Sequence, residues 1–309
     1  MLSAVTIPPA EDEVARAAAA VSDGALADVR VERFPRCTEH HAYLLRASRG
    51  AAYLFKVHRR PHFGRMRRLI RIAEILAEHE VPHPRLRWHD LDRRTLEVPY
   101  IIQDFLPGED GAHAGGDLSF ADQHRVGASL GVAFRQVHDI EYVDTPTSWA
   151  TEFDDRFRTR AAECVALDAL DKREHDAALD YYDERRGALA DVPRRLSHDD
   201  PSPKNLLIER RPDGWHFGGI LDFDRARGRD PLLDVARLRA TAFARWPAAA
   251  AAFMNAYGAM EPDGPGVRDR AELYELYIRL ADVTRYRESE EPERETAARE
   301  ALREWLARS

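Results

Sequence analysis

The apolar pattern of this 309-residue chain changes period near residue 105, and that change limits the possible folds more than any other feature. Before it lie short runs of β type: 28–34, 42–48, 51–58 and 97–105. Ser48-Arg49-Gly50 reads as a turn between the second and third. One helical stretch interrupts them at 64–79, with Met66, Leu69, Ile70, Ala73, Leu76 and Ala77 at helical spacing and Pro82 and Pro84 closing it. Residues 10–21 predict a leading helix with acids in its first turn. After Leu106-Pro107-Gly108 and a polar loop at 109–117, helical patterns dominate: 119–138, 151–170, 172–190, 231–245, 247–258, 268–287 and 293–307. Only one β pair breaks that half, 206–209 with 215–223, joined by Arg-Arg-Pro-Asp-Gly. An Asp-Gly between apolar runs is a strong hairpin signal. The expected fold class is α+β: a small β-rich N-terminal lobe at 1–104 and a large, mainly helical C-terminal lobe at 105–309. A cleft between two lobes is a natural place for a ligand.

Charge narrows the partners. Lys and Arg number 46 against 54 Asp and Glu, a net charge of −8, which argues against nucleic acid or an anionic membrane as partner. No apolar run approaches the ~20 residues of a membrane span. The first residues lack the basic and apolar regions of a signal peptide, so a cytoplasmic location is expected. The two cysteines, Cys37 and Cys164, have no metal-ligand spacing and read as reduced thiols. Nothing in the sequence sets an oligomeric state.

The chemistry concentrates around the hairpin. LSHDDPSPKNLLI, residues 196–208, precedes it, and LDFD, residues 221–224, ends it. His198, Asp200, Asn205 and Asp222 should therefore gather at one end of one hairpin, where catalytic groups are commonly displayed. Phosphoryl transfer needs positioning and charge neutralisation more than covalent help. Mg²⁺ takes hard oxygen ligands, which an Asn carbonyl and an Asp supply. A second Asp can orient an attacking hydroxyl and accept its proton.

These residues resemble the aminoglycoside phosphotransferase and choline kinase-like family, which shares the protein-kinase fold. The family form is His-Gly-Asp, four residues, Asn, a hairpin, Ile-Asp-Trp/Phe, then Asp-Pro-x-x-Asp. Here stand His198-Asp199-Asp200, Asn205, Leu221-Asp222-Phe223 and Asp230-Pro231-Leu232-Leu233-Asp234. The resemblance makes Asp200 the catalytic base and Asn205 and Asp222 the Mg²⁺ ligands. His198 and Asp234 become structural supports of the catalytic loop. Asp199, in the usual glycine position, is a helper, a structural acceptor or part of an acceptor site.

In the small lobe the resemblance puts Lys56 of AAYLFKVH on the α/β-phosphates, and Glu74 is the nearest acidic partner for it on the following helix. IIQDFLPG at 101–108 is similar to the family hinge, with backbone near Asp104 and Leu106 receiving adenine. LGVAFRQVHDI at 130–140 is similar to a family helix. The phosphate-covering loop falls at 34–41, FPRCTEHH; it lacks glycine, and Thr38 is its candidate contact.

The resemblance implies ATP, with GTP not separated from it, as donor, and Mg²⁺ as cofactor. It implies transfer to a hydroxyl of a small, cationic acceptor, with an aminoglycoside-type antibiotic as the leading class. Alternatives are a metabolic kinase of choline, homoserine, amino sugar or fructosamine type, and a nucleotide-binding pseudokinase. Glu272 and Glu275, on the acidic face of the 268–287 helix, are candidate acceptor contacts. Asp224 and Asp230 read as loop caps. The basic run at 59–71 reads as the exposed side of a helix rather than a nucleic-acid patch.

Overall fold

The computed structural model describes residues 6–35, 40–48, 50–114, 116, 118–258 and 265–308. Thr38, Cys37 and the turn position Arg49 lie outside the described residues. The chain forms two compact units, Met1–Ala114 with Lys204–Ala226, and Gly115–Pro203 with Arg227–Ser309. The division therefore differs from a single break at 104/105, because the hairpin expected in the C-terminal lobe belongs to the first unit.

In the first unit, α1 (Glu11–Val21) is followed by β1 (Val29–Phe34), β2 (His40–Ala47), β3 (Ala52–His58), α2 (Phe63–Glu78), β4 (Leu86–Asp90) and β5 (Tyr100–Asp104). The strands form one antiparallel sheet in the order β1-β2-β3-β5-β4. Alternation along each strand sorts its two faces. Tyr43, Leu45, Phe55, Val57, Tyr100 and Ile102 share one face and bury against Val14, Ala17 and Ala18 of α1. Lys56, Ile101 and Gln103 point the other way and line a small cavity with Leu69, Ala73 and Leu76 of α2. Strand β4 was not anticipated: LRWHD is five residues long, lies just after Pro84 and offers only half-buried Leu86 and Trp88 on one face. A short strand β6 (Glu109–Asp110) leads into α3 (Gly111–Ala114).

The second unit holds α4 (Phe120–Asp139), α5 (Trp149–Ala166), α6 (Lys172–Arg185) and β7 (Arg195–Ser197). The chain then returns to the first unit for the hairpin β8 (Leu206–Arg211) and β9 (Gly214–Ile220), which pairs with β6. The turn falls at Pro212-Asp213, with Arg211 paired to Gly214 and Gly214 at φ 124°. Last come β10 (Arg227–Arg229), antiparallel to β7, and α7 (Leu232–Ala240), α8 (Ala242–Arg245), α9 (Pro247–Tyr257), α10 (Pro265–Glu288) and α11 (Pro292–Arg308).

Start signals in the sequence are satisfied locally. Ser119, Ser148 and Asp171 each cap the helix that follows through a side-chain oxygen. Helices α4 and α9 pack closely because Gly127 and Gly131 have no Cβ; one at either site would overlap the backbone of Ala249 or Phe253. Trp149, Phe153, Phe157, Tyr182 and Tyr274 form a buried aromatic cluster in this unit. Cys164 is buried there, and burial with Glu163 nearby pushes its thiol up to about 12, so it is inert at neutral pH. No helix among the described residues is long and apolar enough to cross a membrane.

Candidate active site

The loop after β7 is held by a polar network centred on Asp234. The buried Asp234 carboxylate, at the start of α7, accepts the His198 backbone N–H at 2.6 Å and the Asp199 N–H at 2.9 Å. His138 of α4 bridges Asp234, at 3.2 Å through Nε2, to the Tyr257 hydroxyl, at 2.8 Å through Nδ1. His198 has no exposed surface, and its Nδ1 accepts the Asp200 N–H at 3.2 Å. The two residues before Asp200 thus hang on one carboxylate, and Asp200 hangs on the imidazole between them. Such support fixes the backbone from which the Asp200 side chain projects.

Asp199 adopts φ 67°, the left-handed region, so the loop is not extended there. This explains why the related motif carries glycine: glycine takes that conformation without a Cβ penalty. Asp tolerates it at a cost of about 1–3 kcal/mol. Its carboxylate is ion-paired with buried Arg229 and lies 3.6 Å from Arg156. Arg229 and Arg194 in turn meet Glu152, at 3.6 and 2.8 Å, and Arg194 donates to the Gly228 carbonyl at 2.5 Å. Asp199 is therefore a loop anchor, and the expectation that it awaits a cationic acceptor is corrected: two arginines already hold its charge.

Nor does the structure bring Glu272 and Glu275 to that loop. Both line a pocket of about 500 Å³ with Tyr181, Arg185, Arg279 and Trp305. Glu272 accepts from Tyr181 at 2.6 Å and pairs with Arg268, while Glu275 pairs with Arg279 at 2.7 Å. Tyr277, whose hydroxyl takes two bonds from Arg156, is two residues past Glu275 and so on the opposite side of α10. Asp230 is a cap as expected, its Oδ1 accepting from Leu232 N–H and its Oδ2 from the Tyr274 hydroxyl.

In the first unit the hairpin register sets Asn205 opposite Leu221, the residue before Asp222. Leu206 pairs with Ile220, and the Leu221 N–H donates to the Asn205 carbonyl at 2.8 Å. Asn205 is buried. Asp222 stands at φ 61° and ψ 65°, again left-handed, and its Oδ1 is buried with no hydrogen-bond partner. A buried carboxylate oxygen without a donor is costly unless a cation completes it. The hard oxygens of Asn205 and Asp222 fit Mg²⁺.

Lys56 is buried on β3 and shares a cavity of about 30 Å³ with Asp222, Phe223 and Asp224. The α2 side chains on that cavity are Leu69, Ala73 and Leu76. Glu74 points outward and is exposed, which corrects the expected Lys56–Glu74 pair. Its neighbour Ala73 takes the inward position, as helical spacing from Leu69 and Leu76 requires. At the hinge, the Asp104 N–H is committed to the Arg85 carbonyl and its carboxylate to Arg87. The Leu106 N–H donates to no backbone group among the described residues. Asp224 is not a loop cap but lies beside His40 and His58. Burial, with His40 next to it, pushes His58 down to about 3, so its imidazole is neutral at pH 7.

The sequence motifs led to Asp200, Asn205 and Asp222. Arg229, Arg156, Glu152 and the pair His40–His58 were missed. A run of Arg just before Asp230-Pro231 was the one local hint.

Comparison with known proteins supplies the rest. No curated protein matches the sequence. Solved structures of similar fold include the GDP and kanamycin complex of APH(2")-IIia, with 16% identity, TM-score 0.66 and 91% of this chain and 94% of that chain covered. Macrolide 2'-phosphotransferase MphH from Brachybacterium faecium shares 20% identity at TM-score 0.62, over 94% and 97% of the two chains. A thermostable mutant of aminoglycoside phosphotransferase APH(4)-Ia, bound to ADP and hygromycin B, shares 15% at TM-score 0.61, over 90% and 94%. At these identities the likeness shows the two-lobed, kinase-like fold. The sequence itself matches the APH phosphotransferase enzyme family over residues 30–276, four-fifths of its length, and the chain therefore belongs to that family of small-molecule phosphotransferases.

Proposed function

We propose that the chain transfers the γ-phosphoryl group of ATP to a hydroxyl of a small cationic molecule, with aminoglycoside-type antibiotics as the first class to test. The observation that carries this reading is the anchoring of the Asp200 backbone through His198 and Asp234, which holds the position from which its carboxylate projects. In the reaction, Asp200 accepts the proton of the acceptor hydroxyl as its oxygen attacks the γ-phosphorus. The bond from that phosphorus to the β–γ bridging oxygen breaks, and ADP leaves. Asn205 and Asp222 would hold Mg²⁺, which supplies neutralisation of the phosphate oxygens. Lys56 supplies a further positive charge for the α/β-phosphates. Leu106, with the Asp104 carbonyl, offers backbone to adenine. The fold neighbours' complexes with GDP and with ADP support nucleotide binding and make GTP a donor to test beside ATP.

A metabolic small-molecule kinase is the second reading, and one observation favours it. The carboxylates expected to receive a cationic acceptor, Asp199, Glu272 and Glu275, are each engaged by arginine. The test is nucleoside diphosphate release with Mg-ATP or Mg-GTP across aminoglycosides, macrolides, choline, homoserine and amino sugars, with the Asp200→Asn protein beside the wild type. Release stimulated by an aminoglycoside and lost in the variant supports a resistance transferase. Stimulation by one metabolite alone supports the second reading. Nucleotide binding without stimulated release by any acceptor contradicts both in favour of a pseudokinase.

A further inference from the structure

A second cluster of ligating side chains lies apart from Asn205 and Asp222. The β2–β3 register sets His40 opposite His58, with ring centroids 4.2 Å apart. Asp224, in the turn after Asp222, meets both. His40 Nε2 is 3.3 Å and His58 Nε2 is 3.8 Å from Asp224 Oδ2. All three residues are more than nine-tenths buried, at 4%, 7% and 4% exposure. Their three donor atoms lie within 4.8 Å of one another.

None of these three atoms has a hydrogen-bond partner. His40 Nε2 is close enough to Asp224 Oδ2 for a hydrogen bond, yet the two atoms do not meet along an N–H direction. Three buried, unpartnered donor atoms converging on one space call for one shared partner. With both imidazoles protonated on Nδ1, the two Nε2 atoms and the carboxylate oxygen present three lone pairs, more than the two protons of one water can satisfy. A cation can. Zinc bonds imidazole nitrogen at about 2.0–2.1 Å and carboxylate oxygen at about 2.0–2.2 Å. Tetrahedral angles then separate neighbouring donors by roughly 3.3–3.5 Å, against 3.3 and 3.8 Å from Asp224 Oδ2 to the two imidazoles.

We propose that His40, His58 and Asp224 form a three-ligand site for a zinc-like first-row divalent cation, with water as fourth ligand. Two imidazoles select such an ion over Mg²⁺ or Ca²⁺, which prefer oxygen. The site is thus distinct from the Asn205–Asp222 pair. Arg65 tempers its affinity: one guanidinium nitrogen lies 3.8 Å from Asp224 Oδ2 and another donates to the Asp224 carbonyl at 3.1 Å. The ion's place in the fold suggests its effect. It joins β2 and β3 to the turn that begins at Asp222, so loading stiffens the strand that carries Lys56 and the turn that carries Asp222. The inference does not depend on the transferase reading.

The test uses the full-length chain without a histidine tag, stripped with a chelator and titrated with Zn²⁺ by calorimetry and with Co²⁺ by visible absorbance. Wild type and an exposed-histidine control, His113→Gln, are expected to bind one equivalent, with the intense visible bands of four-coordinate cobalt. His58→Gln and Asp224→Asn are each expected to weaken binding by at least about tenfold. Zinc should also raise the melting temperature of the wild type and not of these two variants. Wild-type affinity and stoichiometry in both variants would overturn the proposal. If either variant fails to fold, the wild-type spectrum still decides: absence of cobalt binding, or only the weak bands of six oxygen ligands, would overturn it as well.

Discussion

The loop that carries Asp200 and the turn that carries Asp222 each contain an aspartate in the left-handed conformation, and they treat it in opposite ways. Asp199, at φ 67°, has its N–H bonded to Asp234 and its carboxylate paired with Arg229. Asp222, at φ 61°, keeps a buried oxygen without a donor. Each conformation costs about 1–3 kcal/mol. In the first region the protein's own groups bond the N–H and the carboxylate of the strained residue. In the second, one carboxylate oxygen has no hydrogen-bond partner among the described residues. The difference separates roles that sequence spacing alone leaves similar. The Asp199 carboxylate is paired within the protein, and the Asp222 Oδ1 is not.

The largest effect tests the first of these regions. Asp200→Asn removes the proton acceptor while keeping the shape, so turnover should fall about 10²–10⁴-fold, as loss of a general base does. Steady-state release of nucleoside diphosphate measures it. Asp234→Ala should come next. It leaves the N–H groups of His198 and Asp199 without their acceptor inside the protein, at a cost of about 2–5 kcal/mol in stability by denaturant unfolding. An unchanged stability would mean the network is not what secures the loop.

A smaller effect is expected from Asp199→Asn. Asn accepts the left-handed conformation but leaves the Arg229 charge short of a partner, with Glu152 still near it. Stability should drop by about 2 kcal/mol, and turnover should stay within about tenfold of wild type. A crippled Asp199→Asn beside a mild Asp200→Asn would reverse the assignment of base and anchor. The smallest effect belongs to Glu275→Gln. This carboxylate is half exposed and paired with Arg279, so the acceptor KM should change by less than about twofold and stability by well under 1 kcal/mol. A large rise in KM for a cationic acceptor would return Glu275 to the acceptor site.

Local signals made much of this legible in advance. The hairpin turn between Arg211 and Gly214, the change of period near residue 105 and the spacing from His198 to Asn205 are properties of short stretches, and short stretches report them. Pairings across the chain are not written that way. His138 lies 96 residues from Asp234 and 119 from Tyr257, and no local pattern announces either contact. The Lys56–Glu74 expectation failed because a count along the chain cannot tell which side of α2 faces the sheet, and Ala73 faces it instead. Strand β4 was obscured by its shortness and by the prolines before it. Residues 204–226 cluster with the first unit because their strands pair with β6, although their motif reads continuously with the loop before them.

The contrast between the two aspartate-bearing segments is tested most directly by nucleotide affinity titrated against Mg²⁺, in wild type, Asp200→Asn and Asp222→Asn. The account predicts that Asp200→Asn keeps the Mg²⁺-dependent gain in affinity and that Asp222→Asn loses at least about tenfold of it. The gain surviving in Asp222→Asn and vanishing in Asp200→Asn would contradict it.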